Sequence, residues 1–364
     1  MKVMVRLAVR YWSVVIPLIA ALVLAVSWGR DLGPAVVVLV SAALVGAVLS
    51  AVSHAEVVAH RVGEPFGSLI LAVAVTIIEV GLIVTLMLSS GDKAASLARD
   101  TVFAAVMITC NGILGLSLLV AAARRRLAVF NAEGTGGALA TVATLATLSL
   151  VLPTFTTSEP GPVFSASQLI FAATASLVLY GVFVMVQTVR HPGDFLPVED
   201  GEQNDDDHDE LPTGKQAFAS LGLLLVALVG VVGLAKLVSP SIESGIAAAG
   251  LPASAVGVVI ALLVLLPETI AAVRAARRER VQISLNLALG SAMASIGLTI
   301  PAIALASIWI EGPLMLGLGA TQMVLLALTV VVGALTVVPG RATLLQGCVH
   351  LVLFSAFVFL AVSP

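Results

Sequence analysis

The sequence predicts an all-α polytopic membrane protein of about 11 transmembrane helices, one extra helix followed by two inverted five-helix repeats. Three observations predict it. Of 364 residues, 59% are hydrophobic and only 11% charged, with mean hydropathy +1.12, more apolar surface than a soluble domain can use. The apolar residues fall into runs of membrane-crossing length, parted by charges or Pro/Gly clusters. Lys and Arg concentrate in alternate connections.

The first run, 12–28, follows the basic lead "MKVMVR". Its layout imitates a signal peptide, but at about 17 residues it is long enough to be a retained span. Runs two to six are 34–53, 66–89, 99–123, 137–152 and 165–189. The fifth is short, and its "GTGGALATVATLATLSLVLP" has the small residues of helix-packing faces. A hydrophilic stretch, "RHPGDFLPVEDGEQNDDDHDELPTGK", then carries nine of the chain's 21 acids and reads as a self-repelling linker. Runs seven to eleven are 216–238, 253–273, 282–307, 313–337 and 342–362. The organisation is therefore an N-terminal helix (1–33), a first repeat (34–189), an acidic linker (190–215) and a second repeat (216–364). Cys110 and Cys348 lie inside apolar runs and read as small core hydrophobes.

With the N-terminus in the cytoplasm, 14 of the 18 Lys and Arg fall on the cytoplasmic side. Only Arg30, Lys93, Arg99 and Lys236 face outward. That bias supports eleven spans in a plasma (inner) membrane, with the linker inside and the C-terminus on the outer side. A miscounted span would have scrambled it.

Two acids stand in strongly apolar runs: Glu79 in "SLILAVAVTIIEVGLIVTLML" and Glu268 in "ASAVGVVIALLVLLPETIAAV". A carboxylate at such depth costs about 2.5–3.5 kcal/mol even on the lenient insertion scale and normally faces protein or water with a task to perform. The spans are five apart, so they cross in opposite directions. Their surroundings match too. Glu56 lies seven residues before Gly63 in "AEVVAHRVG", and Glu243 seven before Gly250 in "IESGIAAAG". A span rich in Gly, Ser or Asn follows each acid. This is the pattern of inverted repeats, which set a cation site near the midplane.

The expectation is that two carboxylates from symmetry-related helices share a site, where a divalent cation neutralises both and protons do so in its absence. Glu79 and Glu268 are thus the expected metal ligands and proton carriers. Pro267 removes one helical hydrogen bond and frees the Leu263 carbonyl, which suits a hard cation such as calcium. Thr76, Asn111, Ser291 and Ser295 offer neutral oxygens, Asn111 with Thr109 beside it. Glu56, Glu243, His60 and Pro267 are gate or entrance candidates, the first three at span ends. His54 and His60, flanking Glu56, read either as pH sensors or as interfacial polar groups.

At these residues the sequence resembles the calcium/proton exchangers of the CAX family, in the cation/calcium exchanger superfamily, and among them the bacterial ChaA-type antiporters. The stretches that carry the resemblance are "AEVVAHRVGEPFGSLILAVAVTIIEV" and "LLPETIAAVRAARRERVQISLNLALGSAMASIGLTIP". The resemblance implies that Glu79 and Glu268 are ion-binding, proton-exchanging acids. It matches Gly290 and Ser291 to a Gly-Ser of the second repeat, and Asn111 to an Asn of the first. Where the family has Gly-Asn ahead of each acid, this chain has Val75-Thr76 and Val264-Leu265, a departure that bears on ion selectivity.

The function expected is secondary antiport: calcium out of the cytoplasm, protons in, by alternating access. A sodium or potassium/proton antiporter on the same fold is the alternative. An intramembrane enzyme is the other class, and the residues argue against it. No Asp reads as lying at depth, and of five histidines only His350 lies within a run. No phosphate-binding loop is present for an ATP-driven pump. The partners expected are calcium, protons and the lipid bilayer, with no cofactor. The basic "RAARRER" reads as a loop anchor, so no nucleic acid is expected. An oligomer is as compatible with the sequence as a monomer.

Overall fold

The computed structural model describes residues 2–30, 32–63, 66–90, 95–198, 211–252, 254–309 and 312–363. The acidic run 199–210 and Lys93 lie outside the described residues. The helices are α1 (Lys2–Ser27), α2 (Pro34–Val62), α3 (Phe66–Ser90), α4 (Leu97–Met107), α5 (Leu114–Arg125), α6 (Ala132–Ala146), α7 (Ala166–Met185), α8 (Gly214–Ala248), α9 (Ser254–Val264), α10 (Leu266–Arg277), α11 (Val281–Gly297), α12 (Thr299–Ala306), α13 (Ala320–Val337) and α14 (Leu344–Val362). A π-helical turn, Ile108–Ile113, joins α4 to α5 in one span. Among the described residues nine spans are long and apolar enough to cross a membrane, and α9 with α10 makes a tenth, bent by 52°. Trp12–Ser27 of α1 is a shorter apolar helix, so the count is close to the eleven expected. Several helix starts follow from the sequence: Ser165/Gln168, Thr213/Gln216 and Thr343/Gln346 each close a capping box.

By compactness the chain forms two units. The first, Met1–Ser90 with Asp205–Ala249, holds α1, α2, α3 and α8. Pro17 inside α1 has no N–H to offer the carbonyl of Ser13. That carbonyl accepts instead from Ser50 Oγ (2.7 Å) and His54 Nε2 (2.8 Å) on α2, which docks the extra helix. α2 and α8, one from each sequence repeat, pack together in this unit, and both run beyond their predicted spans. α8 continues helical through Pro240. Gly81 of α3 lets Val232 of α8 approach so closely that a Cβ would lie 2.9 Å from it.

The second unit, Gly91–Asn204 with Gly250–Pro364, holds the other helices. Its connections sort onto two faces. On one, strands β1 (Ala128–Val129) and β2 (Arg341–Ala342) pair antiparallel. There too Arg124 Nη1 donates to the Arg277 carbonyl at 2.6 Å, and Arg125 pairs with Glu279. On the opposite face Val163 bridges Met315, whose N–H donates to the Ala95 carbonyl. The tenth predicted span is shorter than expected. Residues 313–319 are extended, and α13 begins only at Ala320. Pro313, Gly317 and Gly319 disfavour helix, and the segment's N–H groups find partners elsewhere: Gly317 bonds Pro162, and Leu318 bonds Leu150. Irregular backbone of this kind is tolerated where it is buried in protein, and Leu314, Leu316 and Leu318 are buried.

Candidate functional site

Glu79 sits midway along α3 and is only 2% exposed. One turn earlier Thr76 is buried, and its hydroxyl donates to the Ala72 carbonyl at 2.8 Å, which leaves its lone pairs as acceptors. An acid in a run of Val, Ile and Leu is costly to place.

Glu268 lies in the first turn of α10, half-buried, just past the break at Leu265. Position and sequence explain each other. Pro267 has no N–H to continue the ladder of α9, so the helix stops and restarts. The restart places Glu268 at a helix N-terminus, where the helix dipole favours negative charge. The expected proline effect is thus a full break of the span. Thr269 backs the break, its N–H and hydroxyl both donating to the Leu265 carbonyl, at 2.9 and 2.7 Å.

On α11, Ser291 is half-buried and Ser295 buried, four residues apart and so on one side of the helix. A Cβ at the adjacent Gly290 would meet nothing within 4 Å, so α11 keeps open space beside Ser291.

Asn111 has another set of partners. Its Nδ2 donates to Thr329 Oγ1 on α13 at 2.9 Å, and its Oδ1 faces His350 Nδ1 on α14 at 3.1 Å. His350 Nε2 in turn meets Thr336 Oγ1 at 3.1 Å. Because an amide oxygen only accepts, His350 carries its proton on Nδ1 in this chain and accepts from Thr336. Both ends of the Asn111 amide are therefore engaged towards α13 and α14, inside the π-helical turn. Thr109 bonds its own helix, at the Ala105 carbonyl.

The gate candidates Glu56, His60 and Glu243 lie on helices of the first unit, and Pro267 lies in the second. Glu56 and His60 are exposed near the end of α2, and Glu243 on α8 accepts from Ser239 Oγ at 3.2 Å. His54 is occupied with the Ser13 carbonyl of α1.

Sequence reasoning missed two arrangements. Asp100, at the head of α4, is 5% exposed although it reads as the edge of its run rather than as lying at depth. Arg99 holds it through Nε (2.9 Å) and Nη2 (2.8 Å), and Ser96 Oγ donates to its other oxygen at 2.9 Å. The adjacent "RD" was the available signal. The second is a buried contact between Ser117 and Ser284, two residues that no sequence pattern singles out.

A family model described as "Sodium/calcium exchanger protein" matches residues 32–189 and 219–363. The chain is 46% identical over 356 residues to the y4hA protein of Sinorhizobium fredii (strain NBRC 101917 / NGR234), covering 97% of this chain and 96% of that one. It is 35% identical over 350 residues to the sodium-potassium/proton antiporter ChaA of Escherichia coli (strain K12), covering 95% and 94%. Among solved structures, native YfkE superposes with a TM-score of 0.71 at 15% identity, over 97% of this chain and 100% of that one. The H+/Ca2+ exchanger CAX does so with 0.71 at 18% identity, over 96% and 88%.

Proposed function

This chain belongs to the sodium/calcium exchanger protein family, and on that premise we propose that it is a cation/proton antiporter whose principal substrate is calcium. It is an integral membrane secondary transporter, not an enzyme. Protons enter the cytoplasm down their gradient and calcium leaves. Glu79 and Glu268 each alternate between holding a proton and holding the cation, so neither charge is left bare in the membrane. Thr76, Ser291 and Ser295 supply neutral oxygens. Asn111 serves the packing of its own span. The N-terminus and the acidic linker lie in the cytoplasm and the C-terminus on the outer side, as the Lys and Arg bias requires.

The observation that carries this reading is Glu79, a carboxylate 2% exposed in the middle of an apolar span. Calcium is favoured by charge, since a divalent ion balances the exchange of two protons. A second reading, sodium or potassium in place of calcium, is favoured by the similarity to the Escherichia coli sodium-potassium/proton antiporter. It also agrees with Val75-Thr76 and Val264-Leu265, which offer fewer side-chain oxygens than the six to eight ligands calcium takes.

Inside-out vesicles with an imposed proton gradient test both. Calcium uptake should follow the gradient, and Glu79→Gln and Glu268→Gln should each reduce it to the background of empty vesicles. Ordinary uptake by either variant would remove that glutamate from the mechanism. Sodium and potassium in the same vesicles separate the two readings.

A further inference from the structure

Three helices of the second unit meet at a buried polar contact that the antiport reading leaves unused. Ser284 on α11 lies 2.6 Å from Ser117 Oγ on α5 and 2.7 Å from the carbonyl oxygen of Ala272 on α10. Both serines are 0% exposed. A hydroxyl has one proton to give, and a carbonyl oxygen can only accept. Ser284 is therefore the donor in both contacts, its one proton shared between the Ala272 carbonyl and Ser117 Oγ. The contact ties α11 to both α10 and α5 at one buried point.

The receiving helix is the one that carries Glu268, one turn before Ala272. α10 has only 12 residues and starts at the break, bent 52° away from α9. With Pro267 in its first turn, α10 cannot inherit its direction from the hydrogen-bond ladder of α9. Its tilt has to be set from the side. The buried face of α10 is smooth, with Ala272 and Ala276 fully buried, and Arg124 holds only its far end, at the Arg277 carbonyl. A short directional bond to the Ala272 carbonyl resists both sliding and rotation.

We infer that Ser284, oriented by Ser117, is a positioning residue that holds α10 and thereby fixes where the Glu268 carboxylate stands. The inference rests on the reading that Glu268 exchanges the transported cation. A ligand displaced by a fraction of an ångström still binds, but less tightly, because the groups that hold a ligand in place tune its affinity. Ser284→Ala should therefore raise the KM for the cation about tenfold, the scale of losing such a supporting group, while kcat falls less. Ser117→Ala leaves the bond to Ala272 in place and should raise KM less than threefold.

A purely structural role predicts something different, and the double variant separates the two. Ser284→Ala strands the Ser117 hydroxyl in an apolar interior, whereas Ser117→Ala/Ser284→Ala removes both groups. The double variant should therefore regain most of the Tm lost by Ser284→Ala yet keep its raised KM. The measurement is gradient-driven uptake in proteoliposomes over a range of calcium, sodium or potassium concentrations, with Tm taken on the same preparations. Wild-type KM in Ser284→Ala, or KM recovering together with Tm in the double variant, overturns the inference. Glu268→Gln run alongside distinguishes the failures. If it abolishes uptake while Ser284→Ala keeps the wild-type KM, only the positioning role falls. If it transports normally, the antiport role of Glu268 falls and the positioning role falls with it.

Discussion

The isolated acids were legible to sequence reasoning because hydrocarbon makes a misplaced charge conspicuous. Glu79 stands out against its Val and Ile neighbours, and it is buried on α3. Neutral polar residues give no such signal. A hydrogen-bonded Ser or Asn costs far less in a span than a charge does, so nothing in "MITCNGI" tells whether Asn111 faces an ion or another helix. Its partners His350 and Thr329 lie more than 200 residues away, beyond the reach of local pattern. His350→Leu should leave Asn111 Oδ1 and Thr336 without their shared partner. The expected loss is about 1–2 kcal/mol, the scale of interhelical hydrogen bonds in membranes. A thermal-unfolding comparison of purified protein in detergent checks it, and an unchanged Tm would mean that the network adds nothing to stability.

At the scale of the element, hydropathy located every span but could not say how each one bends. The chain uses two devices. The span of Asn111 absorbs an extra residue in a π-helical turn, while the span of Glu268 is cut at Leu265. Proline was the readable half of this, since a missing N–H breaks a ladder wherever it falls. A π turn has no comparable residue signature. Gly and Pro in "GPLMLGLG" were equally readable as helix breakers, yet the length and hydropathy of 313–337 outweighed them in the prediction. Pro267→Ala should let α9 and α10 approach one continuous helix and carry Glu268 out of place. Uptake should fall at least about tenfold while Tm holds or rises, because proline costs a helix interior about 3 kcal/mol relative to alanine. Normal uptake with a raised Tm would mean that the bend has no part in transport.

At the scale of the whole molecule, the number of spans was countable to within one or two because length and charge bias are each enforced by the bilayer. The second unit bears on that count through its loops. Those after α5, α10 and α13 share one face, and those before α7 and α13 share the other, as an alternating path demands. The two compact units were not foreseeable, since α8 joins α1, α2 and α3 from across the acidic linker. Single cysteines at Leu127, Arg278 and Val338, in a chain with Cys110 and Cys348 replaced by alanine, should react with an impermeant maleimide only in inside-out vesicles. Cysteines at Ser158 and Trp309 should react only in intact cells. Disagreement within either set would break the proposed topology. The joint at Pro17 has a bearing on how the molecule is built. Until α2 arrives, α1 would hold an unsatisfied backbone oxygen in oil, and Ser50 and His54 are the groups that relieve it. The smallest piece that can rest comfortably in the bilayer is accordingly a hairpin, so biogenesis should deliver the first two helices as a pair.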